Sequence, residues 1–140
     1  MKDIPERCLG HSIRSADRVI SQIYNDLLAP VGIKITQFSI LRALHYMGAT
    51  TAKEVQQVLV LEQATISRAL KPLLRDGYII SQEGDDKRQK LLRLSAEGEA
   101  LYQQALVPWN QAQTTMREEL GATFEKNLLN LSKKIVSLKH

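Results

Sequence analysis

Apolar residues recur at steps of three and four positions along most of the 140-residue chain, and this spacing is typical of amphipathic helices. Outside the middle of the chain, four such stripes begin near Ile13, Phe38, Leu101 and Phe124. Capping or turn-forming residues bound these stripes: Pro30, Gly32, Thr36, Gly48, Ser95, Gly121 and Thr123. The pattern predicts one helix for each stripe, with Thr36, Ser95 and Thr123 as N-caps.

Between residues 51 and 95 the pattern changes to two short helices followed by two strands. Thr51 and Glu54 have the spacing of a capping box, in which the threonine hydroxyl accepts from an amide and the glutamate reaches back to the cap. A second short helix stops at Gly77. Residues 78–83 and 90–95 are typical of strands, and residues 84–86 are typical of a turn. Two helices and a hairpin form the outline of a winged helix–turn–helix, which places one helix in a DNA major groove.

Two prolines fall inside predicted helices. Pro108 lies within the long helix that follows Ser95, and we expect it to kink that helix because proline removes an amide donor. Pro72 lies in the second helix of the helix–turn–helix, where its ring would crowd the carbonyl group of Arg68. We therefore expect a distorted last turn there, beyond the part of the helix that would meet DNA.

Composition narrows the class of protein. With 44% hydrophobic residues the chain can bury one core, and a net charge of +4 makes it mildly basic, which alone is weak support for nucleic-acid binding. The single cysteine, Cys8, rules out an internal disulfide and agrees with a reducing compartment. No apolar run reaches the roughly 18 residues needed to cross a bilayer, and the first residues lack the apolar core of a signal peptide. We expect a cytoplasmic protein with no membrane partner.

The helix predicted after Ser95 is long for a chain of this size, because about 24 residues at roughly 1.5 Å each span about 36 Å. Its stripe and those of the first and last helices could pack into one layer. A two-fold dimer would bury these stripes, and a monomeric helical bundle is the alternative. We assign residues 1–34 and 96–140 to a helical dimerisation region and residues 35–95 to a winged helix–turn–helix, in one intertwined unit that is mainly α with a small β-hairpin wing.

The second helix of the helix–turn–helix has a polar face with side chains suited to reading DNA. The candidates on this face are Gln63, Thr65, Ser67, Arg68 and Lys71. Gln and Arg can pair with the edges of adenine and guanine, and short hydroxyl side chains let a helix approach the groove closely. An ordinary solvated helix face is the alternative. The small residues clustered in the N-terminal half of the helix favour DNA binding.

The tip of the hairpin supplies a second set of candidates: Asp86, Lys87, Arg88 and Lys90. An arginine at such a tip can enter a narrow minor groove, where the negative potential is enhanced. We expect Asp86 to hold the Arg88 guanidinium in a bidentate ion pair, and Lys87 and Lys90 to contact backbone phosphates. A charged turn that only keeps the hairpin solvated is the alternative.

Three passages occur in a particular order and spacing. Residues 32–41 lead into the second helix, residues 73–79 lead from the polar helix to the hairpin, and Asp86-Lys87-Arg88 is followed by a short apolar strand and Leu94-Ser95-Ala96-Glu97-Gly98. Together they resemble the MarR family of bacterial transcription regulators over nearly the whole chain. The chain departs from the family pattern at Glu62 and Gln63, where a small cap is commoner, and at Pro72.

The resemblance implies a homodimer that binds a pseudo-palindromic operator on double-stranded DNA. Such a regulator usually represses nearby genes until a small molecule or an oxidant releases it. Matched position by position, the five residues of the polar helix face correspond to the family's recognition helix. Asp86 and Arg88 correspond to its wing.

Two candidate sites could receive the releasing signal. Cys8 precedes the first helix and His11 lies one turn further on; a thiolate favoured by a helix N-terminus and a protonated histidine oxidises readily. Some MarR relatives use a cysteine of the N-terminal helix as a peroxide switch, which this position resembles, and an inert thiol is the alternative. The other candidate is a cleft for a small aromatic or other effector between the helical layer and the winged module. Its candidate lining residues, which could equally be core residues, are Tyr24, His45, Tyr46 and Trp109.

Other classes of function find less support. His11, His45 and His140 are too scattered for a metal site, and we expect no cofactor. The chain lacks a catalytic triad spacing, a paired-carboxylate motif and a phosphate-cradling glycine loop, which argues against an enzyme. The sequence therefore predicts a sequence-specific DNA-binding regulator, with a repressor favoured. The alternative is a winged-helix protein-interaction module that does not bind DNA.

Overall fold

The computed structural model describes residues 7–140 as six α-helices and one two-stranded antiparallel hairpin. The elements in chain order are α1 (Leu9–Leu28), α2 (Ile35–Met47), α3 (Ala52–Leu59), α4 (Gln63–Arg75), β1 (Ile79–Glu83), β2 (Lys90–Leu94), α5 (Ala96–Leu120) and α6 (Phe124–Ser137). A short 3-10 turn (Ala29–Val31) joins α1 to α2. The prediction of a mainly helical fold with a hairpin wing is confirmed.

Two of the predicted N-caps form as expected. Thr51 accepts a 3.1 Å hydrogen bond from the amide of Glu54, and Ser95 accepts a 3.0 Å bond from the amide of Gly98. The other half of the capping box at α3 was predicted wrongly, because the Glu54 carboxylate accepts from the Thr50 hydroxyl instead of returning to Thr51.

The predicted caps of α2 and α6 need correction. α2 begins at Ile35 and not after Thr36: the amide of Ile35 donates to Asn25 Oδ1 at 2.8 Å, and that of Lys34 donates to Gln37 Oε1 at 3.0 Å. Thr123 does stand at the N-terminus of α6, but its hydroxyl makes no capping bond there. A side chain ten residues upstream therefore replaces the expected local cap of α2.

Both prolines lie inside helices that continue past them. α4 runs through Pro72 to Arg75, and α5 runs through Pro108 as a single 25-residue helix. The last turn of α4 closes with the amide of Tyr78 donating to Leu73 O at 2.9 Å, while Gly77 takes a left-handed φ of +78°. The chain can therefore turn directly from α4 into β1.

The hairpin is tied to the start of the helix–turn–helix. β1 and β2 pair in register from Ile79 opposite Leu94 to Glu83 opposite Lys90. Thr50, just before α3, extends this pairing through an antiparallel bridge to Leu92, with N–O distances of 3.0 and 2.7 Å. The bridge, which the sequence analysis did not anticipate, fixes the β2 edge of the wing against the start of α3.

A close main-chain approach joins the wing to α5. Ser95 Oγ donates to Gly77 O at 2.6 Å, and the Ser95 amide donates to Tyr78 O at 3.1 Å. Gly98 packs so tightly on this turn that a Cβ atom on it would lie 1.9 Å from Tyr78 O. Ser95 and Gly98 therefore set the position of α5 relative to the wing.

The buried core lies between the winged module and α5. Phe38 of α2 stacks between Tyr102 and Trp109 of α5, with ring centroids 5.5 and 5.3 Å apart. In contrast, α1 buries only Leu28, and α6 buries no residue. The apolar faces of the terminal helices are therefore left uncovered within one subunit.

No single helix among residues 7–140 is both long and apolar enough to cross a membrane. The segments Leu9–Val31 and Ile35–Met47 meet that test of length and composition only as a pair, bent by 76°.

Candidate nucleic-acid interface

α4 presents the predicted polar face to solvent. Ile66, Leu70 and Leu73 are buried beneath it. Thr65 is half-buried, and the other four candidates are exposed: Gln63, Ser67, Arg68 and Lys71. These residues lie on one side of the helix because α4 is anchored to the core by the opposite side.

The start of α4 does not depend on a capping side chain. Glu62 occupies the N-cap position without a side-chain bond, and its carbonyl oxygen accepts from the amides of Thr65 and Ile66, both at 3.1 Å. The helix begins at Gln63, so the departure from the family pattern at residues 62 and 63 leaves the candidate residues within the helix. Gln63 is then the first helical side chain of the polar face.

Asp86 organises the tip of the wing, although not in the predicted way. Its Oδ1 accepts a 3.0 Å hydrogen bond from the main-chain amide of Arg88, and its carbonyl oxygen accepts from the amide of Gln89 at 2.8 Å. The expected ion pair between this carboxylate and the Arg88 guanidinium is therefore wrong. A carboxylate that accepts from the amide two residues further on closes a tight turn, so Asp86 shapes the wing tip through the main chain of Arg88 and not through its guanidinium.

The basic side chains of α4 and the wing are available to an outside partner. Lys87, Arg88 and Lys90 are exposed. The salt bridges found among residues 7–140 involve other cations: His45 with Glu99, Arg75 with Asp76, and Arg117 with Glu125. At the end of α4 the Arg75 guanidinium lowers the pKa of Asp76, chiefly by a side-chain hydrogen bond. Within residues 7–140, no such ion pair neutralises a cation of the polar face of α4 or of the wing tip.

Two lysines that the sequence analysis left out lie beside α4. One groove on the α2 side of α4 is lined by Lys34 together with Thr65 and Arg68. A second groove, on the α3 side, is lined by Lys53 together with Gln63 and Ser67. Lys34 directly precedes α2 and Lys53 lies in the first turn of α3, and neither position indicates a DNA contact before the three helices are packed together.

The candidate redox site is accessible but is arranged differently from the expectation. Cys8 is exposed and caps α1, with Sγ accepting from the main-chain amide of His11 at 3.4 Å. The His11 ring instead lies next to Ser15, with Nε2 3.3 Å from its hydroxyl. The Cys8 thiol therefore contacts the main chain of His11 and not its imidazole ring.

The four candidate residues of a ligand cleft fall into two places. Tyr24 donates a hydrogen bond to Gln113 Oε1 between α1 and α5, and burial raises the pKa of its hydroxyl. The other three surround Arg42 and Tyr102 on α2 and α5. The Arg42 guanidinium carbon lies 5.2 Å from the Tyr46 ring and 5.4 Å from the Trp109 ring, while His45 contacts Tyr46 and the carboxylate of Glu99. The structure therefore separates Tyr24 from the cluster of His45, Tyr46 and Trp109.

A helix with an exposed polar face, followed by a hairpin with an exposed basic tip, defines a winged helix–turn–helix protein. Comparisons with known proteins agree. A model of the MarR family matches residues 33–90. The uncharacterised HTH-type transcriptional regulator YwoH of Bacillus subtilis is 35% identical over 118 residues, which cover 84% of this chain and 83% of YwoH.

Solved structures extend this similarity to the whole fold. The M. tuberculosis regulator MosR in complex with DNA has a TM-score of 0.81 and 28% identity, covering 96% of this chain and 100% of that one. A single-residue mutant of E. coli MarR with operator DNA has a TM-score of 0.81 and 26% identity, covering 91% and 92%. The chain belongs to the MarR family, whose members are transcriptional regulators and not enzymes.

Proposed function

We propose that this chain is a sequence-specific regulator that binds double-stranded DNA as a homodimer, recognises a pseudo-palindromic operator and represses transcription. The observation that carries the proposal is the pairing of the exposed face of α4 with the exposed basic tip of the wing. Two proteins of similar fold, MosR and E. coli MarR, were crystallised with DNA, which supports this use of the surface. A protein that acts on chromosomal DNA in a bacterium works in the cytoplasm.

The homodimer is supported by the apolar side chains that one subunit leaves uncovered at its two ends. Leu9 of α1 is 83% exposed, and Leu131 of α6 is 54% exposed. Helices that expose large apolar side chains along one face are typical of protein–protein interfaces. A second copy would cover them by two-fold symmetry and would place two copies of α4 on one duplex. The proposed dimerisation region is residues 1–34, of which 1–6 lie outside the described part of the chain, together with residues 96–140; the proposed DNA-binding region is residues 35–95.

DNA binding is tested by replacing Arg88 with alanine. We expect the variant to bind every duplex about tenfold or more weakly than the parent, because it loses a charged contact at the wing tip. The measurement is fluorescence anisotropy on genomic fragments recovered with the protein, at two salt concentrations. Arg93→Ala is the matched control, since Arg93 donates to Gln82 Oε1 within the hairpin and lies away from the tip. Equal affinities for parent and Arg88→Ala would remove the wing from the interface.

Release from DNA is proposed to follow either oxidation of Cys8 or binding of a small effector. Cys8 supports the first route because its thiol is exposed at the start of α1, in the dimerisation region. Peroxide treatment is expected to weaken DNA binding by the parent and to leave Cys8→Ser unchanged. The anisotropy assay before and after dithiothreitol checks reversibility. Equal responses of the parent and Cys8→Ser would exclude Cys8 as the switch, and the cluster of His45, Tyr46 and Trp109 would then be the first site to mutate in a test of effector binding.

A further inference from the structure

The grooves on the two sides of α4 share a charge pattern. The α2-side groove contains Lys34 and Arg68, and the α3-side groove contains Lys53. Neither groove is lined by an aspartate or a glutamate, although the chain has 15 such residues. The remaining polar lining consists of hydroxyl and carboxamide groups. Both grooves are therefore lined by groups able to donate hydrogen bonds to an anion and by no carboxylate that would repel it.

The two grooves reach α4 from opposite edges of its polar face. Thr65 and Arg68, three positions apart, line the α2-side groove, whereas Gln63 and Ser67, four positions apart, line the α3-side groove. These two edges and the helix surface between them carry the five residues assigned above to base reading. Lys34 and Lys53 consequently stand on either side of the helix proposed to enter the major groove.

The width of the DNA major groove explains why a lysine on each side of α4 would matter for binding. A helix with its side chains is about 10–12 Å across, and the major groove is about 12 Å wide. A helix that enters the groove therefore has one sugar-phosphate backbone on each side. A lysine beside each edge of the helix would meet one backbone, and lysine binds phosphate as a point charge.

The neighbouring contacts keep both lysines accessible. Lys34 and Lys53 are exposed, and the salt bridges found within residues 7–140 involve neither of them. Beside Lys34, the side-chain oxygen Oε1 of Gln37 accepts from the Lys34 main-chain amide, which leaves the Gln37 side-chain NH₂ group for the groove. Beside Lys53, the Glu54 carboxylate is held by the Thr50 hydroxyl.

We propose that Lys34 and Lys53 straddle the recognition helix and bind the two phosphate backbones of the operator, one lysine to each strand. This inference rests on the proposed function and extends the interface to the N-termini of α2 and α3. Both contacts are independent of base sequence, so they set affinity and the seating of α4 while Gln63, Ser67 and Arg68 read bases.

The test measures the salt dependence of DNA binding by Lys34→Ala, Lys53→Ala and the double variant. Each phosphate contact contributes about 0.9 to the slope of log affinity against log salt. Because a bound dimer carries each substitution twice, each single variant is expected to lower the slope by about 1.8, and the double variant by about 3.6. The advantage of the parent over each single variant should therefore shrink about 12-fold between 50 and 200 mM KCl. The ratio of affinities for operator and random duplex should stay unchanged.

Matched variants separate charge from folding. Lys34→Arg and Lys53→Arg keep the charge and should keep the slope of the parent, whereas Lys139→Ala removes an exposed lysine beyond the end of α6 and should also keep it. If Lys34→Ala and Lys53→Ala both keep the salt slope of the parent, the proposal is overturned. If only one of the two variants lowers the slope, the two-sided arrangement is overturned. If the parent itself shows no salt-dependent binding to duplex DNA, the proposed function fails; if the parent binds and Arg88→Ala is weakened, only the present inference fails.

Discussion

Gly98→Ala is expected to lower the free energy of unfolding by about 3 kcal/mol, which is the upper part of the usual range for an overpacked site. The added Cβ would lie 1.9 Å from Tyr78 O and 2.9 Å from the Tyr78 carbonyl carbon. These are main-chain atoms, so relief requires α5 to move away from the turn between α4 and β1. That movement would also stretch the hydrogen bonds from Ser95 to Gly77 and Tyr78.

Urea unfolding followed by circular dichroism measures this effect, and Gly10→Ala is its control. Gly10 also lies in the first turn of a helix, α1, but a Cβ atom there would meet only the flexible end of Arg14, at 3.3 Å. Because alanine favours a helix over glycine by up to about 1 kcal/mol, Gly10→Ala should be neutral or slightly stabilising. Similar unfolding midpoints for the two variants would show that the close approach of α5 to the wing does not contribute to stability.

Leu131→Asp is expected to separate the proposed dimer into monomers and, with it, to abolish tight operator binding. Leu131 belongs to the exposed apolar face of α6, and a carboxylate buried there without a partner costs about 3 kcal/mol or more. A two-fold interface carries the substitution twice. The dimer dissociation constant should therefore rise at least about a hundredfold. Light scattering over a range of protein concentrations measures it.

Asn130→Asp introduces the same carboxylate at the neighbouring position of α6. Successive helical residues point about 100° apart, so Asn130 lies away from the stripe formed by Leu128, Leu131 and Ile135. We expect this variant to remain dimeric and to bind the operator like the parent. A monomeric parent, or a dimeric Leu131→Asp variant of normal affinity, would exclude α6 from subunit contact.

The sequence predicted those elements whose signals are local. Thr51 and Ser95 cap helices through amides three residues away, and the stops at Gly48, Gly77 and Gly121 coincide with positive φ angles. Such signals are contained in a few consecutive residues, so they can be recognised before the fold is known. The polar face of α4 was predicted for the same reason, because helical periodicity alone assigns its residues to one side.

Features that depend on distant residues were missed or mispredicted. The start of α2 is set by Asn25 of α1, and the wing is bridged to Thr50, so no short segment reveals either contact. The separation of Tyr24 from His45, Tyr46 and Trp109 follows from how α1, α2 and α5 pack. At the wing tip the error was chemical: Asp86 has two groups of Arg88 within reach, and the nearer main-chain amide takes the carboxylate.

The central claim is that two subunits present α4 and the wing to one face of a specific duplex. Hydroxyl-radical footprinting on a genomic fragment recovered with the protein tests it most directly. We predict two protected half-sites related by inversion, with centres about 10 base pairs apart or a multiple of that spacing. Protection of a single unrepeated segment, or protection that moves freely along unrelated sequences, would contradict the claim.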